Sequence, residues 1–298
     1  MILVIGGLAD TVTELVCARL SACDYPYRLL DLSRYPAGYR LTGRWRDGYP
    51  DGAMQGPGWR LDLAEISSVY VRFLGSEGRL LPEAPAESAK ALSAEADAAL
   101  MTLVEDLPCP VVNKTAGGIS NNSKPYQALM LHRAGLRVPP TLVTNEPDVV
   151  HAFHARHREV VYKSLSSVRS IVRRLGPDML ARLEHLRDGP AQFQAYIPGD
   201  NVRVHTVGER TFAIRVKSEA VDYRYAHRDG LSVAMEPIVL PDAIEHACHS
   251  AARNMDLLLA GIDLKVTPDG EWYCFEINPS PGFIYYERHS GLPISAGL

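Results

Sequence analysis

The chain has 298 residues, 46% of them hydrophobic and 22% charged, which describes a water-soluble globular protein with room for two or three subdomains. A net charge of −4 and a pI near 6.2 argue against bulk attraction to nucleic acid or to a membrane surface. The five scattered cysteines, Cys17, Cys23, Cys109, Cys248 and Cys274, form no Cys-x-x-Cys pair. They read as free thiols of a reducing compartment, and with no signal peptide ahead of the Ile-Leu-Val-Ile-Gly-Gly run and no membrane-length apolar run, the expected location is the cytoplasm.

In chain order, residues 2–7 read as a buried strand turning at Gly6-Gly7 into a helix capped by Asp10 and running to about Ser21. Residues 27–30 form a second strand ending in Asp31. The Gly-x-Gly-x-x-Gly pattern of dinucleotide sites is absent, so the glycine pair reads as a tight strand-to-helix turn. Residues 35–60, rich in Gly, Pro, Tyr, Trp and Arg, suggest an irregular or hairpin segment. A strand over 69–73 carries Arg72, which is either at an edge or an anchor aimed into a cleft. Pro82 and Pro85 precede an Ala-rich helix over about 87–107, and Val111-Val112 makes a short strand. Alternating strands and helices indicate an α/β domain with a largely parallel sheet.

From Asn113 a polar loop leads to a helix capped near Ser123, with Pro125 in its first turn and Gly135 at its stop. An extended exit over 138–143, a helix after Pro147 and a strand over 160–163 follow. Residues 164–174, rich in Ser and Arg, read as a mobile lid. Residues 192–197 form a strand or linker, and 202–207 with 211–216 a hairpin about Gly208. An amphipathic helix over 242–259 carries Ile244, Ala247, Ala251, Met255 and Leu258 on one face, with Glu245 placed for a capping box and Gly261 for its stop.

The stretch 261–282 carries the chemistry. Alternation puts Ile262, Leu264 and Val266 on one face of a first strand, and Tyr273, Phe275 and Ile277 on the matching face of a second. Asp263 and Lys265 then point the other way, as do Trp272, Cys274, Glu276 and Asn278. A four-residue loop over 268–271 pairs Thr267 with Trp272 and sets Asp263 opposite Glu276. A three-residue loop would set Asp263 opposite Phe275 and spoil the site, so the first register is expected. Facing carboxylates repel, so one is protonated or a cation sits between them, and oxygen ligands favour a hard ion such as Mg²⁺. Lys124 at a helix start and Lys163 at a strand end stand where phosphate oxygens could be met, although either alone reads more readily as a solvated lysine.

Asp263 in Gly-Ile-Asp-Leu, followed by Glu276-Ile-Asn278-Pro, resembles the metal signature of the ATP-grasp ligases, which activate a carboxylate as an acyl phosphate and join it to a nucleophile. Asn-Ser-Lys124-Pro, the later Ala-Gly-Leu-Arg-Val-Pro-Pro-Thr and Val-Tyr-Lys163 are similar to the two-lysine arrangement of RimK-like members. Gln194-Ala195-Tyr196-Ile197 resembles their hinge, whose backbone meets adenine. Asp200-Asn-Val-Arg203 resembles the Asp-x-Arg element behind ribose and substrate, with the acid one residue further from the arginine. Arg215 and Arg224 are the candidates for a basic residue near the γ-phosphate. In place of a glycine-rich phosphate loop, Ser164, Ser166 and Ser167 follow Lys163.

Val-Tyr-Val-Arg72, Val-Val-Asn113, Val-Pro-Pro-Thr-Leu-Val-Thr-Asn-Glu-Pro and the ending Gly-Leu-Pro-Ile-Ser resemble the maturases of ribosomal peptides, the graspetide synthetases, which form side-chain ester or amide rings in precursor peptides. The resemblance implies a pre-ATP-grasp α/β domain over 1–112, a small lobe over 113–190 and a C-terminal lobe with the metal site over 191–298. It implies ATP and Mg²⁺ (two ions, or Mn²⁺ in their place), with Asp263, Glu276 and Asn278 on the metal. Lys124, Lys163, Gln194, Ala195, Tyr196, Ile197 and Asp200 fall to the nucleotide, Arg203, Arg215 and Arg224 to catalysis, and Arg72, Arg173 and Tyr285 to the substrate. It also leaves a homodimer open. A RimK-type ligase acting on a small acceptor and a non-catalytic nucleotide-binding protein are the competing readings. Of the other features, His151, His154 and His157 read as a solvated helix face rather than a metal cluster, Arg169, Arg173 and Arg174 as cations that attract an acidic peptide or as solvated lid, and Tyr286 and Glu287 as acceptor-site lining or packing.

Overall fold

A computed structural model of the chain describes residues 1–46, 48–72, 86–163, 165, 172–218 and 232–298. The apolar run at the N-terminus forms strand β1 (Ile2–Gly6), followed by helix α1 (Thr11–Ala22) and β2 (Tyr27–Asp31). Asp10 caps α1, its carboxylate accepting from the Thr13 N–H at 2.8 Å and the Thr13 hydroxyl at 2.9 Å. The segment left open as irregular or hairpin is a three-stranded antiparallel ribbon, β3 (Arg40–Arg46), β4 (Tyr49–Gly56) and β5 (Trp59–Asp62). Then come β6 (Ser68–Val71), the long helix α2 (Ala86–Asp106) and β7 (Val111–Val112). The parallel sheet runs β2-β1-β6-β7. Phe73, Pro82 and Pro85 lie outside the described residues.

Both faces of this sheet are covered, as a parallel sheet requires. Leu3, Ile5 and Leu30 face Leu100, Leu103 and Val104 of α2 together with Met54 and Leu61 of the ribbon. On the other face, Val4 joins Val12 and Val16 of α1 and a set from the far end of the chain, including Val207, Ile214, Phe283 and Ile294. The N-terminal sheet and the C-terminal region therefore share a core.

The middle of the chain holds α3 (Lys124–Arg133), β8 (Thr141–Thr144), α4 (Pro147–His157), β9 (Val160–Lys163), β10 (Arg173–Arg174), α5 (Pro177–Leu180) and β11 (Ala191–Ala195). Its strands make an antiparallel sheet, β10-β9-β11-β8, over a small core of Val150, Val160, Leu175, Leu183 and Phe193.

The last part contains β12 (Asp200–Val207), β13 (Arg210–Lys217), β14 (Ala234–Ile238), α6 (Asp242–Asn254), β15 (Leu259–Val266), β16 (Trp272–Asn278) and α7 (Ile284–Ser290). The sheet order is β14-β13-β12-β15-β16, antiparallel throughout. Ala247, Cys248, Ala251 and Ala252 of α6 pack on one face of it, against Val202, Val204, Ile262 and Leu264. Helix α6 ends five residues before the expected Leu259, where the chain turns through Asp256 at φ 52°. Gly261 therefore lies inside β15 instead of stopping a helix. Pro241 occupies the N-cap position of α6, so the expected capping box with Glu245 does not form. Among the described residues no helix is long and apolar enough to cross a membrane.

Candidate active site

The site is built on the β15–β16 hairpin. Near the turn Val266 pairs with Trp272 and Leu264 with Cys274, a register one step away from the expected Thr267–Trp272 pairing. Continued unchanged, it would place Asp263 opposite Phe275. Between Asp263 and Leu264 the register shifts, leaving Phe275 as the extra residue of a β-bulge and restoring Asp263 opposite Glu276. The bulge also changes the apolar face of β16. Cys274 and Ile277 are buried in the α6 core with Trp272 packed against it, where strict alternation put Tyr273 and Phe275. Two carboxylates thus face each other on the side of the sheet away from α6.

Each carboxylate has a cation on its outer flank. Arg203 stands opposite Asp263 across the β12–β15 ladder, and its Nη1 donates to Asp263 Oδ1 at 2.7 Å. Lys124, in the first turn of α3, places Nζ 3.4 Å from Glu276 Oε2. The result is a row, Arg203–Asp263–Glu276–Lys124, whose cationic side chains are only 6% and 11% exposed while both carboxylates keep 25% exposure. Buried charges of this kind stand only when paired. Asn278 follows on β16 opposite Gly261, its Oδ1 accepting from the Ser280 N–H at 2.9 Å.

Gln127 and His205, which the sequence did not single out, hold this row in place together with Tyr286. Gln127, one turn after Lys124 and 2% exposed, donates to Ile277 O at 2.8 Å and accepts from Ile277 N–H at 3.1 Å, docking α3 on the outer edge of β16. Arg203 lies against Tyr286 of α7, 5.2 Å from its ring centre, and its Nε is 3.4 Å from His205 Nε2. His205 is fully buried, and burial first, then the nearby guanidinium, push its pKa well below 6.5. A Cβ at Gly261 would stand 2.0 Å from Arg203 Nη2, so glycine is what lets the guanidinium lie across the strand. The only sequence sign of this cage is Gly261 itself, a glycine inside a strand pattern, which marks a close approach.

Lys163 is 6% exposed on β9, opposite Gln192. At the end of β11, the Ala195 and Tyr196 N–H groups donate to Pro140 O and Glu159 O at 2.9 Å each, so neither is available to a ligand. Gln194 is buried and donates to Thr141 Oγ1 at 3.1 Å. Ile197 O accepts from Lys265 Nζ at 3.1 Å. Lys265 shares the outward face of β15 with Asp263, and burial, then Arg174, lower its pKa, against an opposing effect of Asp200. The Tyr196 ring has Arg174 4.2 Å and Lys265 5.1 Å from its centre. One face of β15 therefore runs from the hinge to the carboxylate pair.

Other expected site residues are placed elsewhere. Arg215 pairs across the ladder with Val202, whose side chain is in the α6 core, so the pleat sends Arg215 to the face opposite Arg203. There it lies 3.8 Å from Asp200 and 3.6 Å from Glu236. Arg215, expected near the γ-phosphate, and Asp200, expected at the nucleotide, thus stand together on that face and not beside Asp263 and Glu276. Arg72 is buried, with Nε 3.2 Å from Asp10 and Nη1 donating to Ser280 O at 2.7 Å and Ser280 Oγ at 2.8 Å. It clamps the N-terminal sheet to the loop after Asn278. Asn113 does the same one step away, donating to Leu259 O and Pro279 O and accepting from the Leu258 and Leu259 N–H groups. Arg173 is exposed on β10, and Tyr285 is half-buried against Tyr286 and His289. Arg224, Arg169, Ser164, Ser166 and Ser167 lie outside the described residues. Among the described residues no group of three His, Cys, Asp or Glu side chains forms a metal site, so the His151, His154, His157 series does not make one.

No protein-family model and no curated protein matches this chain. Solved structures do. The macrocyclase MdnC of Microcystis aeruginosa, bound with its precursor peptide MdnA, is 24% identical with a TM-score of 0.84, over 100% of this chain and 97% of that one. The ATP-grasp ligase PsnB, complexed with a minimal precursor variant, Mg and ADP, is 26% identical with a TM-score of 0.80, over 99% and 94%. A Chryseobacterium gregarium RiPP-associated ATP-grasp ligase, in complex with ADP and a leader and core peptide, is 24% identical with a TM-score of 0.84, over 99% and 95%. The chain has the ATP-grasp fold. Among proteins of that fold it is similar to ligases solved with precursor peptides, which is the resemblance read from the motifs.

Proposed function

We propose that the chain joins a side-chain carboxylate of a ribosomally made precursor peptide to a hydroxyl or amine of the same peptide, closing an ester or amide ring at the expense of ATP. The observation that carries this reading is the Arg203–Asp263–Glu276–Lys124 row, set on the same face of β15 that leads to the hinge at Ile197. Full-length likeness to ligases solved with precursor peptides supports the choice of substrate.

The donor set fits a hard divalent ion: two carboxylates on adjacent strands and an amide oxygen two residues further along β16, with no thiolate or imidazole among them. Asp263, Glu276 and Asn278 would hold Mg²⁺, which when bound offsets the charge of the phosphate oxygens. The reading takes in two ions, with Mn²⁺ as a substitute. Tyr196 O and the Ile197 N–H are the hinge groups assigned to adenine, since the two preceding N–H groups are already donated.

Lys124, Lys163 and Arg203 are the fixed cations assigned to the phosphate chain, where preorganised charge in a dry cleft lowers the barrier to phosphoryl transfer. A peptide carboxylate oxygen attacks the γ-phosphorus, the bond to the β-phosphate oxygen breaks, and ADP leaves. The peptide hydroxyl or amine then attacks the acyl carbon, losing its proton as inorganic phosphate departs, for a net loss of one water per ring. Pairing of two copies belongs to the same reading and is checked by the mass in solution.

The test is the intact mass of a short acidic peptide bearing Ser, Thr or Lys, encoded beside the gene, after incubation with Mg-ATP. Loss of 18 Da steps with ADP in proportion is the expected result, each step being one water. A gain equal to an amino acid would replace this reading with an intermolecular ligase, and ADP formation with a small carboxylate alone would turn it to small-molecule chemistry.

A further inference from the structure

The outer face of the N-terminal ribbon carries a groove of about 550 Å³ that the ligase site does not use. Its inner face is occupied by packing: Met54 and Leu61 are buried with α2, and Trp45 Nε1 donates to Asp106 of α2 at 2.5 Å. The pleat therefore sends the alternate residues outward as three cross-strand rows. Arg40, Gln55 and Arg60 form the first, Thr42, Ala53 and Asp62 the second, and Arg44 with Asp51 the third. The middle row is small at its centre, so Ala53 makes a floor between two rows of long side chains.

Gly43 and Gly52 face each other in the ladder, and both need glycine: a Cβ on Gly43 would meet Leu103 of α2 at 2.7 Å, and one on Gly52, at φ 147°, would meet Thr42 O at 2.0 Å. The ribbon therefore lies close on α2 at Gly43.

We propose that this groove docks an acidic stretch of the peptide substrate, away from the carboxylates that undergo ligation. The inference rests on the peptide reading above. Arg60 is paired with Asp62 at 3.0 Å, whereas Arg40 and Arg44 form no ion pair among the described residues. Both are exposed, two cations without an ion-pair partner among the described residues on a chain whose net charge is −4. Guanidinium groups bind carboxylates bidentately, which suits Glu or Asp side chains spaced along an extended peptide. Asp51, Asp62 and Gln55, interleaved with the arginines, supply acceptors for backbone N–H, Ser or Lys groups of such a peptide.

The experiment measures fluorescence anisotropy of a fluorescein-labelled hexaglutamate against the full chain, the Arg40→Ala/Arg44→Ala double variant, and Arg182→Ala/Arg187→Ala, which removes the same charge from another exposed segment. Saturable binding that weakens about tenfold or more in the first variant, little in the second, and further with added salt is expected. Equal loss in both variants would reduce the effect to net charge and overturn the groove, as would tighter binding of an oligothymidylate of the same length. A wild type that binds the probe through Arg40 and Arg44 but removes no water from any peptide would keep the groove and discard the ring-closing reaction. A double variant that converts an identified precursor at an unchanged KM would discard the groove and keep the reaction.

Discussion

The two antiparallel ribbons, β15–β16 and β3–β4, solve one problem in different ways. Each buries one face against a helix, α6 in the first case and α2 in the second, and presents charged residues on the other. In β3–β4 the register is unbroken and a glycine pair lets the ribbon lie close on α2, so the outward arginines keep strict alternation. In β15–β16 an extra residue shifts the register, and outward acids keep facing each other only because Phe275 is looped out. The first device shapes a surface; the second aligns two like charges that must then be balanced by Arg203 and Lys124. A bulge is worth its lost ladder hydrogen bond where side-chain direction matters more than shape.

Breaking the balanced row has the largest expected effect. Glu276→Ala removes one carboxylate and leaves Lys124 beside an empty position; ADP formation should fall about a thousandfold or more while the circular dichroism spectrum is unchanged. Near-normal turnover would remove Glu276 from the metal site. Gly261→Ala is the next strongest, because its Cβ would stand 2.0 Å from Arg203 Nη2 and 2.6 Å from Pro281 Cβ. Turnover should drop about tenfold to a hundredfold with a stability loss of about 1–3 kcal/mol, read by steady-state kinetics and thermal melting.

Deleting Phe275 sharpens the comparison. Asp263 stays opposite Glu276 and the strand regains strict alternation, so ADP formation should remain within about tenfold of wild type. Collapse of activity would show that the bulge positions more than the two acids. In the other ribbon, Gly52→Ala meets a backbone oxygen at an unfavourable φ and should cost about 1–3 kcal/mol of stability, seen as a lower melting temperature.

The smallest effect is a pH dependence. His205 stays neutral in the folded chain to well below 6.5, while the unfolded chain takes up the proton near that value. The unfolded state therefore binds more protons as pH falls from 6.5 toward the folded pKa. Stability should decline across that window by up to about 1.4 kcal/mol per pH unit. Thermal melts of wild type and His205→Asn at pH 7.5 and 5.5 check this, since the variant should lose that part of the slope (both values bracket about 6.5).

Much of the site was legible because it is short-range. Asp263, Glu276 and Asn278 lie in one hairpin, and period-two alternation sufficed to aim the acids the same way, even though the pairing near the turn was counted one step off. The placement of Arg215 turns on the same point. Arg203 and Arg215 both read as cations of one β-hairpin, but the ladder sets Arg215 opposite Val202, and a single step of register separates the two faces. Gln127 and His205 left no pattern to find, because a polar residue on an apolar element is common and only the partner gives it meaning.

Local spacing determined the alternation of strands and helices at the N-terminus, the acidic hairpin, and the lysines at the head of α3 and the end of β9, since each rests on contacts within a turn or a strand. Tertiary packing decided where Phe275 is looped out, that Gln127 docks α3 on β16, and that Arg72 and Asn113 tie the N-terminal sheet to residues 258–281. These depend on partners more than a hundred residues away in sequence, whose approach is set by which apolar faces fit together and not by any local periodicity.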